Sequence, residues 1–344
     1  MIRRSCPGVL LGFAIVAVVS TRSSYCTAQQ PPPPPGGVAS EGPPGVIHQT
    51  GIVNLRLVLG RLEIDPARYR KGSKHAKHDL PTPLEESVCV DSKLGIPSLH
   101  YTFQSPHHHA VVDIVDIQRC HLFSERSDLG ERLQLVQPID GPLTIQVSSP
   151  HGSITISSPS LLHLQATHRT HFDSHLSPLW NYLLPGPSME QLAASTMEKM
   201  LSACLDKPSD FPTRDQVLDC VQRMRSTRRA ERHQAETELS GLGLGVLGHL
   251  RELDWRHLDA EQTARLRRVR LQLQPIEPDS PTRLACWLNS DYEFWNRIAA
   301  ELTKSQRLAV DRHLRRTLDR SLAPAAVSAP SVRIAEGNPD AANY

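Results

Sequence analysis

Residues 143–167 read LTIQVSSPHGSITISSPSLLHLQAT. The runs Leu143–Ser149, Ser153–Ser158 and Leu161–Thr167 are short and evenly spaced. Pro-His-Gly at 150–152 and Pro-Ser at 159–160 separate them. Pro and Gly punctuation at this spacing predicts three successive strands joined by tight turns, the texture of antiparallel hairpins in a sandwich or barrel.

The same texture extends upstream. Gly51–Ile64 alternates, with Leu55, Leu57 and Leu59 on one face and Asn54 and Arg56 on the other. Strand-like runs recur at Ser87–Val90, Ser98–Gln104, Ala110–Ile117 and Arg132–Val136, while the polar, proline-broken stretch Arg68–Pro83 predicts a loop. No helical pattern of crossover length intervenes, which argues against a parallel nucleotide-binding sheet. The expectation is a β domain over 46–176.

Downstream of Ser177 the pattern turns helical. Helices are predicted over about Met189–Leu205, from Thr213 onward, and over Arg228–Leu239, Leu244–Leu253, Ala260–Leu273, Thr282–Leu288, Tyr292–Leu302 and Lys304–Leu322. Thr213 can cap its helix. Asp259 with Gln262 and Thr303 with Gln306 have the spacing of capping boxes, in which side chain and backbone satisfy each other across the first turn. The fold class expected is α+β in two domains, an N-terminal antiparallel sandwich or barrel and an all-α domain over 177–322. The tail 323–344, rich in Ala, Pro and small polar residues, is expected to be disordered.

Within the helical half, RRAERHQAETELSGLGLGVLGHLREL (Arg228–Leu253) resembles one HEAT-like repeat. Ala235 and Leu239 lie on a first helix, Ser240–Gly243 at a turn, and Val246, Leu247 and Leu250 on a second. A fainter echo runs over Asp291–Leu318. The resemblance implies stacked helix pairs with an extended protein-binding surface and no catalytic residues. A plain helical bundle packed on the β domain is the alternative.

The N-terminus reads as export. Arg3 and Arg4 precede the uncharged run Val9–Val19, and small and polar residues follow, as in a secretory signal peptide over 1–28 cut after Ser20 or Ala28. The run is short for a bilayer span, which needs about 20 apolar residues. An uncut anchor is the alternative. Residues 29–45, with five consecutive prolines at 31–35, read as an extended Pro/Gly linker. An extracytoplasmic location, periplasmic or secreted, follows. Of seven cysteines, Cys6 and Cys26 fall in the leader. Cys89, Cys120, Cys204, Cys220 and Cys286 remain, an odd set that leaves at least one unpaired. Cys89 and Cys120 form either one disulfide or two buried free thiols. The net charge of +2 over 344 residues does not point to nucleic acid. Arg267, Arg268 and Arg270, with Arg312, Arg315, Arg316 and Arg320, make two late helices basic. They fit either an acidic partner or solvated helix faces.

Histidines are the remaining candidates. THRTHFDSH (Thr167–His175) holds His168, His171 and His175 with Asp173, and His163 lies just upstream; His107–His109 form a second cluster. The first stretch is a poor helix and reads as a strand end and loop. A strand there puts His171, Asp173 and His175 on one side, the best metal set available. HExxH is absent and no glutamate stands by as base. In an acidified compartment these imidazoles would charge together. GxSxG and the phosphate-binding glycine patterns are missing, and GLGLG (Gly241–Gly245) lies between helices. Asp113 and Asp116 would face opposite ways on a strand. No catalytic, cofactor or metal residue is assigned. The function expected is a non-catalytic binding or scaffold protein with a protein partner, no nucleic acid, and membrane contact only through the leader. The alternatives are a metal-dependent hydrolase at the histidines and a carbohydrate- or envelope-binding β module.

Overall fold

A computed structural model describes residues 45–78, 81–206 and 211–324, with the backbone of 333–334. All of these belong to the unit Gly42–Tyr344. The expected leader, the linker up to Pro44, and the tail beyond 324 apart from that backbone lie outside the described residues. No described helix is long and apolar enough to cross a membrane.

A short helix, α1 (Val46–Thr50), opens the described chain, and its Val46 and Ile47 are buried. Two strands, β1 (Val53–Val58) and β2 (Arg61–Tyr69), then pair antiparallel as a separate ribbon. A meander follows: β3 (Gly72–His78), β4 (Leu84–Lys93), β5 (Ile96–Gln104), β6 (His108–Val115), β7 (Arg119–Arg126), β8 (Glu131–Gln137), β9 (Leu143–Ser149) and β10 (Gly152–Ser158). Each strand pairs with the next, and the two-residue β11 (Arg333–Ile334) adds to β10. Period-two alternation produces one buried face. Leu84, Val88 and Val90 point inward on β4, Leu99, Tyr101 and Phe103 on β5, and Leu143, Ile145 and Val147 on β9. Three turns, Leu59–Gly60, Leu94–Gly95 and Asp116–Ile117, have positive φ at both residues. That geometry matches strand twist and allows two-residue hairpins at Leu59–Gly60 and Leu94–Gly95, while the β6–β7 turn takes a third residue, Gln118.

The stretch expected to be a third strand after β9 and β10 is helical. Ser160 N-caps α2 (Leu161–Thr167), its hydroxyl accepting from the His163 amide. A capping serine satisfies an orphan N–H and starts a helix where Pro159 has already ended the strand. The histidine stretch, expected to be strand end and loop, is also a helix, α3 (Arg169–His175), with Phe172 and His175 buried. Tertiary burial outweighs the weak helix propensity of Thr170 and Asp173. With α4 (Ser177–Leu183), these helices join the ribbon on the buried side of the sheet. The change from strand to helix therefore falls at Ser160, before Ser177. The expected loop at Arg68–Pro83 contains the end of β2 and all of β3. That strand is polar because it is an edge, where Lys74 and Lys77 deter pairing with another chain.

The remaining helices are α5 (Met189–Asp206), α6 (Arg214–Arg223), α7 (Arg229–Gly241), α8 (Val246–Glu252), α9 (Ala260–Leu273), α10 (Pro281–Leu288), α11 (Tyr292–Ile298) and α12 (Lys304–Leu318). Capping boxes form at Thr213–Gln216, Asp259–Gln262 and Thr303–Gln306. The chain thus combines an antiparallel sheet in its N-terminal half with a helical C-terminal region. Two apolar clusters result. The larger runs from the sheet and ribbon through α2–α5 to α10–α12. The smaller holds Val217, Cys220, Ala235, Leu239, Val246 and Leu266, and so belongs to α6–α9. α7 packs chiefly on α6 and α9, and α10 chiefly on α5.

Candidate functional site

The two histidine clusters meet at one atom. β6 points His108 inward, β7 places Ser124 beside it, and α3 brings His175 from above. Ser124 Oγ lies 2.8 Å from His108 Nε2 and 2.8 Å from His175 Nδ1. His175 Nε2 is 3.4 Å from Glu131. The hydroxyl has one proton, so it donates to one imidazole and accepts from the other. Burial lowers both imidazoles, His108 to about 4, helped by the nearby Arg126 guanidinium. Ser124 has no exposed surface. The cluster therefore packs α3 to the sheet and leaves no path for a substrate. The remaining members of the expected metal set diverge: the Asp173 carboxylate pairs with Arg169 at 3.3 Å and accepts from Ser177 at 3.2 Å. His171 keeps a buried Nδ1 without a partner. Among the described residues no group of three or more His, Cys, Asp or Glu is arranged to hold a metal ion. His109 turns to the outer face beside Phe123, with ring centroids 6.2 Å apart.

A second network joins the two halves. Ser160 Oγ is 2.8 Å from His163 Nδ1, and His163 Nε2 is 3.0 Å from Asp291 Oδ2. Asp291 also accepts from Arg251 of α8 and, at 2.9 Å, from the Phe294 amide, so it caps α11. Burial alone would raise this carboxyl, but the His163 hydrogen bond and the Arg251 charge hold it near 2. The order serine, histidine, aspartate imitates a nucleophilic triad. Three facts argue against one. Ser160, His163 and Asp291 are all fully buried. The serine oxygen is committed to its own helix cap. Gly60 is packed so tightly that a Cβ there would sit 2.9 Å from Ser160 Oγ, leaving no room for an acyl group. The neighbouring turn Asn289–Asp291 is a hub: Asn289 O accepts from Trp295 Nε1 at 3.1 Å and from His313 Nε2 at 2.9 Å.

Above this network opens a cleft of about 560 Å³. The sheet side supplies Leu59 and Arg61 at the β1–β2 turn and Ile139–Pro142 between β8 and β9. The helical side supplies Leu247, Arg251, Trp255, Arg270, Leu271 and Trp287. Its size lies within the range of about 300–1,000 Å³ common for small-molecule sites. Its walls are mainly apolar, with three arginines and one acid, Asp140. Sequence reading missed it because its residues come from seven separate stretches, none with a motif of its own.

The other sequence candidates are accounted for individually. β4 and β7 are three strand spacings apart, about 14 Å. Cys89 is exposed on the outer face and Cys120 is buried on the inner one. A bridge needs Cα atoms within about 7 Å, so the disulfide alternative falls. The other alternative is half met, since both are free thiols and only Cys120 is buried. Asp113 pairs with His100 at 2.7 Å, and Asp116 lies in the following turn. Arg268, Arg270, Arg315 and Arg320 have acidic partners in Glu236, Asp140, Asp311 and Glu252. No family model, curated protein or solved structure matches the chain. Fold and site together define a mixed α+β protein with an apolar, arginine-bearing cleft where sheet and helices meet.

Proposed function

We propose that this is a non-catalytic binding protein of an extracytoplasmic compartment, periplasmic or secreted, acting through the face of its helical half that turns toward the sheet. The observation that carries this reading is the cleft, a preformed, mostly apolar recess. The signal-peptide-like pattern of the sequence over 1–28 supports the compartment. In this reading the partner, protein or smaller, enters the cleft, nucleic acid is not a ligand, and the membrane is met only through the leader. The HEAT-like reading draws support from α7 and α8, which bury Ala235, Leu239, Val246 and Leu250. The sandwich reading draws on the β1–β2 ribbon, which shares the core of the sheet's inner face.

The test is uptake of Nile red, a neutral apolar dye, by the folded full chain. Saturable uptake that Leu247→Trp abolishes is the expected result, since the larger side chain fills the recess. Uptake that the substitution leaves unchanged would remove the cleft from the account. Equimolar zinc that survives dialysis and disappears in the His171→Ala, His175→Ala double variant would replace this reading by the metal-hydrolase one. The carbohydrate- or envelope-binding module has one observation in its favour. The outer face of the sheet aligns His100, Asp113 and His121 in a single cross-strand row.

A further inference from the structure

The cleft's charges are unequal. Arg251 is matched by Asp291 and, at 3.4 Å, by Glu293. Arg270 is matched by Asp140 at 3.5 Å. Arg61 has no carboxylate within 4.0 Å among the described residues. Its guanidinium is held instead by carbonyls: one Nη donates to Gly141 O at 2.8 Å and the other to Pro138 O. These bonds fix its plane against the 138–142 turn but do not neutralise it. Glu63 and Asp140 act on this cation only at longer range, and a half-buried cation without a directly paired counter-ion favours an anion beside it.

The rest of the recess suits a hydrocarbon chain. Trp255, Trp287, Leu247 and Leu59 form the walls. At the mouth, Leu271 is 69% exposed and Ile139 43%. A polar metabolite would leave those side chains in water. A protein partner covering the mouth would not need a recess of about 560 Å³. From these features we infer that the cleft takes a single-chain amphiphile with an anionic head, carboxylate or phosphate. The head lies against Arg61 and the chain along the tryptophan wall. The inference rests on the binding-protein reading and specifies its ligand class.

Four twelve-carbon probes separate the possibilities when added to the full chain below their micellar concentrations: dodecanoate, dodecyl phosphate, dodecanol and dodecyltrimethylammonium. Trp255 and Trp287 give a fluorescence readout. One or both anions should bind saturably, at least about tenfold more tightly than the neutral and cationic probes, as a charge-assisted contact implies. The stronger anion then distinguishes a fatty-acid head from a phosphate head. Arg61→Gln should erase the preference by weakening the anions at least about tenfold, with a much smaller effect on dodecanol. That variant also removes the bonds that hold the 138–142 turn, so Leu247→Trp is the second arm; it should block every probe with the thermal midpoint preserved. If dodecanol equals the anions, the charge assignment fails and the binding reading stands. Tighter binding of the cationic probe would overturn the inference outright. If no probe binds, the inference falls, and Nile red uptake decides the binding reading separately.

Discussion

Gly248 of α8 lies directly on the backbone of Ser290: a Cβ at position 248 would sit 2.2 Å from the Ser290 carbonyl oxygen. No side chain fits that gap, so α8 approaches the Asn289–Asp291 turn as bare backbone. Gly248→Ala should therefore destabilise by about 1–3 kcal/mol, the usual cost of overpacking, despite alanine's better helix propensity. Gly241→Ala, where a Cβ meets nothing within 4 Å, is the control and should be neutral or slightly stabilising. Urea unfolding of the two variants decides the matter; equal midpoints would contradict the close contact.

Asp291 caps α11 and receives His163 and Arg251. Asp291→Ala leaves a buried imidazole and a guanidinium without their acceptor and should cost about 3 kcal/mol or more. Ser160→Ala removes the cap and the hydroxyl partner of the buried His163 Nδ1, and should cost about 1–3 kcal/mol. Were the trio instead catalytic, the serine change would abolish an activity while barely moving stability. The carboxyl is held near 2 when folded and titrates near 3.9 when unfolded. A depressed carboxyl stabilises the fold above the unfolded value, and that stability is lost as pH falls toward 2.

Neutral buried histidines set a second acid limb. Burial pushes His108, His249 and His313 down to about 4. The unfolded chain takes up those protons near 6.5, so unfolding binds protons between the two values. The joint contribution of these histidines to stability should be level above pH 6.5 and fall steeply on the way to pH 4. A thermal midpoint identical at pH 7.5 and pH 5 would show that these imidazoles are not buried as described.

Thiol labelling reports the register of the sheet. Cys89 and Cys286 are exposed, while Cys120, Cys204 and Cys220 are buried. Burial pushes the Cys120 and Cys204 thiols up to about 12, which keeps them as inert thiols. Of these five, a maleimide should modify two in the native protein and the others only after unfolding. A disulfide-linked Cys89–Cys120 peptide in a non-reduced digest would contradict the strand order.

Much of the helical half was legible because its boundaries are written locally. Thr213, Asp259 and Thr303 begin helices where capping chemistry says they should, and Ala260–Leu273 matches to the residue. Ser160 begins one by the same chemistry but lacks a Glu or Gln three residues on. Leu161–Thr167, apolar on several sides because α2 is buried, then imitates a core strand. β3 was missed for the opposite reason: an edge strand needs no apolar face, and GSKHAKH reads as loop. The histidine clusters were noticed, but their meeting through Ser124 depends on a serine 16 residues from one and 51 from the other. No local pattern encodes such a contact, and none encodes the cleft.

α5 and α10 pack against each other in the large cluster, while the helices between them close over a small core of their own. In topological terms α6–α9 are an excursion from the parent body, leaving and rejoining it at adjoining places. Shortening the chain to connect α5 directly to α10 should then preserve the sheet and its helical backing while removing Leu247, Arg251, Trp255, Arg270 and Leu271 together. The portion most open to exchange during descent or by design is thus the one that would set what the molecule holds.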